Sequence, residues 1–156
     1  MLQTLKNLAN KQLSKGGKAI ATHATEKEPW HEFAKKTLIR SGRRLVAFDP
    51  YLYQKRFIET IQGHYGTVAV KTRQMGFTEM VASYFLWQAH KDPGYLAVIF
   101  SKTQDDTTNI ARRVKIACSS HPDILLETEN LKDLKLKDGG RLIFKPATAN
   151  AARGLE

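Results

Sequence analysis

The single cysteine in 156 residues, Cys118, has nothing to pair with inside the chain, which excludes an internal disulfide framework and points to a reducing compartment. No apolar run approaches the ~20 residues of a membrane span. The basic start MLQTLKNLANKQLSKGGK has no continuous apolar stretch of the signal-peptide kind, so a soluble, intracellular protein without a membrane partner is expected. The five histidines, His23, His31, His64, His90 and His121, show no H-x-x-x-H pairing and no cysteine partner, which argues against zinc. Ser119-Ser120-His121 reads as a polar helix end rather than a catalytic group. The clustered carboxylates of a two-metal nuclease, internal repeats and low-complexity tracts are all missing.

What is present is positive charge, unevenly spread. Residues 1–47 hold 10 basic and 3 acidic side chains, and residues 48–156 hold 15 and 12. A basic segment of net +7 ahead of a nearly balanced domain of net +3 suits contact with a polyanion such as double-stranded DNA. The division predicted is a basic, mostly helical N-terminal segment, 1–47, and a domain over 48–156. The length suits a core that needs no covalent staples.

Hydrophobic periodicity sketches the elements. Leu2, Leu5, Leu8, Ala9 and Leu13 predict a helix ended by Gly16-Gly17, followed by a linker over 18–28. Trp30, Phe33, Ala34, Thr37 and Leu38 predict a second helix that frays at Ser41-Gly42, with packing as the role of Trp30. Asp49 as N-cap and Pro50 at the first turn predict a helix to about Gln62 that buries Leu52, Phe57, Ile58 and Ile61. Thr67–Val70 reads as a buried strand, 78–90 as a helix, 95–100 as a second strand and 103–119 as a helix. Leu134–Lys137, Asp138-Gly139-Gly140 and Arg141–Lys145 predict a β-hairpin. Strand, loop, helix, strand, helix from 66 to 119 implies a parallel α/β sheet, with the strands at 67–70 and 96–100 adjacent and the loop at their C-terminal edge. Residues 147–156 carry no clear signal.

The chemistry concentrates between Val68 and Ala82. A loop leading into a helix N-terminus forms an anion site from its own N–H groups. The phosphate-loop pattern G-x-x-x-x-G-K-[ST] aligns with Lys71-Thr72-Arg73-Gln74-Met75-Gly76-Phe77-Thr78. The second glycine and the hydroxyl are in place; the first glycine is Lys71 and the usual lysine is Phe77. The pattern leaves two readings open. Either Phe77 means that no nucleotide binds, or Lys71 supplies the cation from the other end of the loop, since the chemistry needs an ammonium near the phosphates and not a particular slot.

K-T-R-Q-M-G-F-T-E-M resembles the deviant phosphate loop of large terminase subunits of tailed bacteriophages, in which the lysine can open the loop. Phe48-Asp49-Pro50-Tyr51-Leu52-Tyr53-Gln54-Lys55-Arg56-Phe57 is similar to that family's adenine-recognising segment. The run Pro93–Gln104 with Ala111-Arg112-Arg113-Val114 resembles its second strand and following helix, and Ala147–Gly154 the R-G stretch before its acidic motif. The matches are in order and cover residues 48–156.

This resemblance implies an incomplete P-loop NTPase core in an ATP-dependent DNA-packaging motor. Lys71 would contact the terminal phosphates, Gly76 would admit the backbone to them, and Thr78 would ligate Mg²⁺. Arg73 would be a catalytic candidate stabilising the transferring phosphoryl group, Gln54 would hold adenine, and Thr72, Gln74, Met75 and Phe77 would complete the ATP-binding loop. Arg153 would be a weaker coupling candidate. In the complete protein the partners implied are double-stranded DNA, a portal protein and a small terminase subunit. A homo-oligomeric ring is implied for that complete protein, in the host cell cytoplasm. The departure is an acidic strand: no apolar run ending in Asp-Glu occurs, so a fragment or truncated product, inactive alone, is expected. The alternatives are a fragment of a helicase-like ATPase, which normally keeps G-K-T, and a non-enzymatic basic DNA-binding module on a degenerate ATPase fold.

Overall fold

Phe77–Lys91, α3 of the fold, is apolar nearly all round and accordingly lies in the middle of it. The computed structural model describes residues 28–128 and 130–148. The predicted helix over residues 2–13, His23, Glu129 and the run from 149 onward, with Arg153, lie outside the described residues. Met80, Ala82, Tyr84, Leu86, Trp87 and Ala89 of α3 are all buried. Glu79 stands in its first turn and His90 and Lys91 in its last, each sign where the helix dipole favours it.

The other helices pack around this one. Trp30–Lys36 forms α1, whose Trp30 donates from Nε1 to Ser83 Oγ (3.1 Å) and meets Tyr84 edge-on. Trp30 and Phe33 thus belong to the same core as the rest of the fold. Leu52–Gly63 is α2 and Gln104–Ser119 is α4. In α4 the Thr103 side chain caps by accepting from the Asp106 N–H (3.1 Å), and Asp105 and Asp106 occupy the first turn. Thr107, Ala111, Val114, Ala117 and Cys118 form its buried stripe.

Two sheets complete the described part. Leu38–Ser41 (β1) and Arg44–Ala47 (β2) form an antiparallel hairpin around Gly42-Arg43. The second sheet has the order β3-β5-β4, with Leu96–Ser101 as β3, Asp133–Lys135 as β4 and Arg141–Pro146 as β5. β3 and β5 are parallel, Leu96 opposite Arg141 through Ser101 opposite Pro146, and α4 lies between them in the chain. β4 and β5 are antiparallel, as the predicted hairpin requires. Ala97, Ile99, Leu134, Leu142 and Phe144 turn one sheet face to the core, while Leu96 and Phe100 remain half exposed. The protein is therefore α/β, with a mixed sheet that contains one parallel pair.

Three expectations need correction. Thr67–Val70 forms no strand: Val68 and Val70 are 93% and 99% exposed, and the parallel neighbour of β3 is β5. β-branched residues favour a pleated surface only when neighbours cover it, and no described strand pairs with this run. The parallel sheet is consequently a mixed one, and the loop after Val70 does not hang from its edge. The second helix ends at Lys36, and the residues expected to fray are a β-hairpin. Helix α2 starts at Leu52 rather than Pro50, because Gln54, three residues beyond Tyr51, accepts from the Tyr51 N–H (2.9 Å) and makes Tyr51 the cap. Ile58 is buried and Phe57 and Ile61 partly so, whereas Leu52 is 64% exposed.

Candidate functional site

Helix α2 reaches the loop ahead of α3 through two adjacent side chains. Tyr53 donates its hydroxyl to the Met75 carbonyl (2.6 Å). Gln54, fully buried, donates from Nε2 to the Met75 and Gly76 carbonyls (3.2 and 3.3 Å) while its Oε1 holds the Tyr51 N–H. A glutamine is needed here, since one end must donate to carbonyls while the other accepts from an amide. The two faces of its amide are thus occupied by backbone.

The braced loop is sharply bent. Gln74 has φ 61° and Gly76 φ 62°, the left-handed region that L side chains rarely adopt. Gly76 is also crowded: a Cβ there would lie 3.1 Å from Gln54 Nε2. Gly76 forms the N-cap of α3, so the first N–H groups of that helix are left without intrahelical partners beside the loop.

A cavity of about 1230 Å³ opens at this place. Its wall includes Gln54, Lys71, Gln74, Met75, Gly76, Phe77 and Thr78, facing Arg40 and Val46 of the first hairpin. Six of the eight predicted loop residues thus share one cavity with Gln54, although 17 positions separate Gln54 from Lys71. Thr72 and Arg73 do not line it; both are exposed. The two ends of the loop meet through Phe77, whose ring lies 5.8 Å from Lys71 Nζ and 4.8 Å from the Phe57 ring. A cation over an aromatic face is attracted by the ring quadrupole, so the residue in the usual lysine's slot touches the lysine that replaces it.

Two carboxylates border the cavity, Asp49 and Glu79. Glu79 is buried and ion-paired with Arg113 of α4, not with Arg73. Thr78 is exposed to the cavity. Among the described residues no group of three or more His, Cys, Asp or Glu side chains is placed to hold a metal ion. The arrangement offers an ammonium, a hydroxyl and a helix N-terminus, the chemistry of an anion cradle.

The sequence reading missed the Glu79–Arg113 pair and the part played by Arg40. The pairing of Glu79 has no local signal, because the partners are 34 positions apart. Arg40 was within reach: Gly42-Arg43 between Ile39 and Val46 offers a two-residue turn with glycine first, a hairpin signal. Elsewhere, burial pushes the Cys118 thiol up to about 12, which leaves it protonated and inert at neutral pH. His121, stacked on Phe33 (centroids 3.9 Å) with Nε2 at 2.9 Å from Thr37 Oγ1, is a core residue. Compared with models of protein families and with curated proteins, the chain matches none.

Proposed function

We propose that this chain is the ATP-binding part of a viral DNA-packaging motor of the large-terminase kind, with an incomplete P-loop NTPase core. The observation that carries the reading is the gathering of Gln54, Lys71 and Gln74 to Thr78 around one cavity at the N-terminus of α3. That sequence-distant set is the one the terminase resemblance selects. Lys71 supplies the compact charge for the terminal phosphates, assisted by the free N–H groups of α3. Bound Mg²⁺ would neutralise phosphate charge, and the Thr78 hydroxyl fits as one ligand. Magnesium usually takes one or two carboxylates besides the phosphates. Of the two bordering carboxylates, Asp49 is exposed and Glu79 is committed to Arg113. Arg73, outside the cavity wall, would have to swing in to act on a transferring phosphoryl group. In this reading Gln54 holds adenine by exchanging a backbone partner for the base edge. The portal, the small subunit, a ring assembly and the host cytoplasm belong to the same proposal for the complete motor.

Nucleotide affinity in three proteins tests it: the unmodified chain, Lys71→Ala, and Lys71→Ala with Phe77→Lys. The expected result is weak ATP binding in the first, none in the second and incomplete recovery in the third, whose new side chain leaves from the other end of the loop. Equal binding by the first two would end the deviant-loop argument. A polypeptide of these 156 residues should show negligible turnover, because among the described residues no carboxylate cluster is placed to orient an attacking water. Robust hydrolysis would overturn that assignment.

A second reading, a non-enzymatic DNA-binding module on this fold, draws on the cationic side chains of the first hairpin. Thermal stabilisation by ATP separates the two readings.

A further inference from the structure

Some exposed cations on this protein are matched: Lys35 with Glu32, Lys36 with Glu28, Lys135 with Glu127 and Arg141 with Asp133. A dense group of unmatched ones is carried by the β1–β2 hairpin and the helix beside it, with Arg40 and Arg44 on opposite sides of the hairpin because Arg40 pairs with Leu45 and Ser41 with Arg44. Arg40, Arg43 and Arg44 project from the β1–β2 hairpin, and Arg112 from α4; all four are exposed and none makes an ion pair with a described residue. No acidic residue occurs in 38–47 or in 107–119.

The fold brings these two stretches together. The hairpin is tied to the end of α4 by the Leu38 N–H, which donates to Ser120 Oγ (2.9 Å), and by Thr37 at His121. Between them lies a cavity of about 620 Å³ lined, among the described residues, by Arg40, Asn109, Arg112, Arg113, Lys115, Ile116 and Leu131, none of them a carboxylate. Arg40 and Arg113 also line the nucleotide cavity, so the two spaces adjoin. Four guanidinium groups on a docked hairpin and a helix raise a positive potential that only a polyanion would offset.

We infer that this surface, the tip and both sides of the β1–β2 hairpin with the Arg112 side of α4, is where the chain grips the phosphate backbone of double-stranded DNA. The inference rests on the motor reading for its choice of polyanion. Guanidinium groups suit phosphate oxygens through paired N–H donors, and the arginines carry no attached base-reading element, so contact is indifferent to base sequence. The lysines of residues 1–27 are not needed for it.

The test is binding of a labelled random-sequence duplex to the full chain, without nucleotide, across a salt series. Each neutralised phosphate contributes about 0.9 to the slope of log K against log salt. The triple variant Arg43→Ala, Arg44→Ala, Arg112→Ala should therefore lower the slope by about 2 to 3 and weaken Kd at least about tenfold at 0.1 M salt. The control pair Lys91→Ala and Lys137→Ala, exposed elsewhere, should change Kd less than about twofold. Arginine-selective modification of the unmodified chain, with and without DNA, provides a readout free of any folding effect: Arg43, Arg44 and Arg112 should be protected and Arg56 should not. An unchanged slope in the triple variant, equal losses in the control pair, or absent protection would overturn the inference, as would tighter binding to anionic phospholipid vesicles than to duplex. DNA binding on this surface without any ATP binding would remove the motor reading and leave the surface standing. ATP binding with an unmoved salt slope would do the reverse.

Discussion

Replacing Gln54 by alanine should release the loop ahead of α3 from α2. The side chain is fully buried and makes three hydrogen bonds, one from the Tyr51 N–H and two to the carbonyls of Met75 and Gly76. Each such bond contributes about 0.5–1.5 kcal/mol net. Tyr51 and Gly76 are exposed and Met75 half-buried, so water can take over the freed backbone groups and the lower part of that range applies. A loss of about 2 kcal/mol follows. For a chain of this size, it lowers Tm by roughly 4–8 °C.

Gln54→Glu sharpens the test. It replaces the donor aimed at two carbonyls by an acceptor, so the new carboxylate is disfavoured in the folded state and its pKa there is raised. A raised carboxyl pKa means that the folded state binds the proton more readily than the unfolded one. The deficit relative to the unmodified chain is therefore full above the folded pKa and shrinks as pH falls toward the ordinary value of about 4.3. Thermal melts of the three proteins at pH 8 and pH 5 measure this, with Gln54→Glu the least stable at pH 8. A Tm within 1 °C of the unmodified chain for both variants would refute the bracing role. Competition of ATP against GTP on Gln54→Ala then asks about adenine: a lost preference supports base reading, and a preserved one confines Gln54 to the backbone.

The cation–π contact of Lys71 with Phe77 is worth about 0.5–1 kcal/mol at an exposed site. Phe77→Leu should therefore weaken nucleotide binding about two- to fivefold, while Phe77→Tyr preserves it; calorimetry on the two distinguishes ring from bulk. Gly76→Ala should cost about 1–2 kcal/mol for its left-handed backbone, read as a shift in urea midpoint; a neutral result would show that the loop relaxes. Burial lowers the His121 pKa below 6.5. The folded state then takes up a proton less readily than the unfolded chain, so stability present above pH 6.5 should drain away as pH falls through the folded pKa. His121→Phe should flatten that acid slope in urea titrations, and an unchanged slope would assign it to other groups.

Helices α3 and α4, strand β3 and the β4–β5 hairpin were legible in the sequence because their causes are local. Apolar spacing, the Thr103 cap and the Asp138-Gly139-Gly140 turn each act within a few residues. The loop pattern of glycine, hydroxyl and lysine is local as well, and six of its eight residues line one cavity. Tertiary structure decided the rest. Thr67–Val70 has strand composition, yet a strand exists only where another strand completes its ladder, and β5 rather than this run lies beside β3. The first hairpin reads as helix when Trp30, Phe33, Ala34, Thr37 and Leu38 are counted together. In the structure Thr37 instead leaves the helix, accepts from the Phe48 N–H through its carbonyl and bonds His121, 84 positions away. The occupation of the Gln54 amide by the loop backbone, and of Glu79 by Arg113, likewise depends on which elements meet across the core. A side chain's type states what it can bond, and only the packed chain settles which partner is within 3 Å of it.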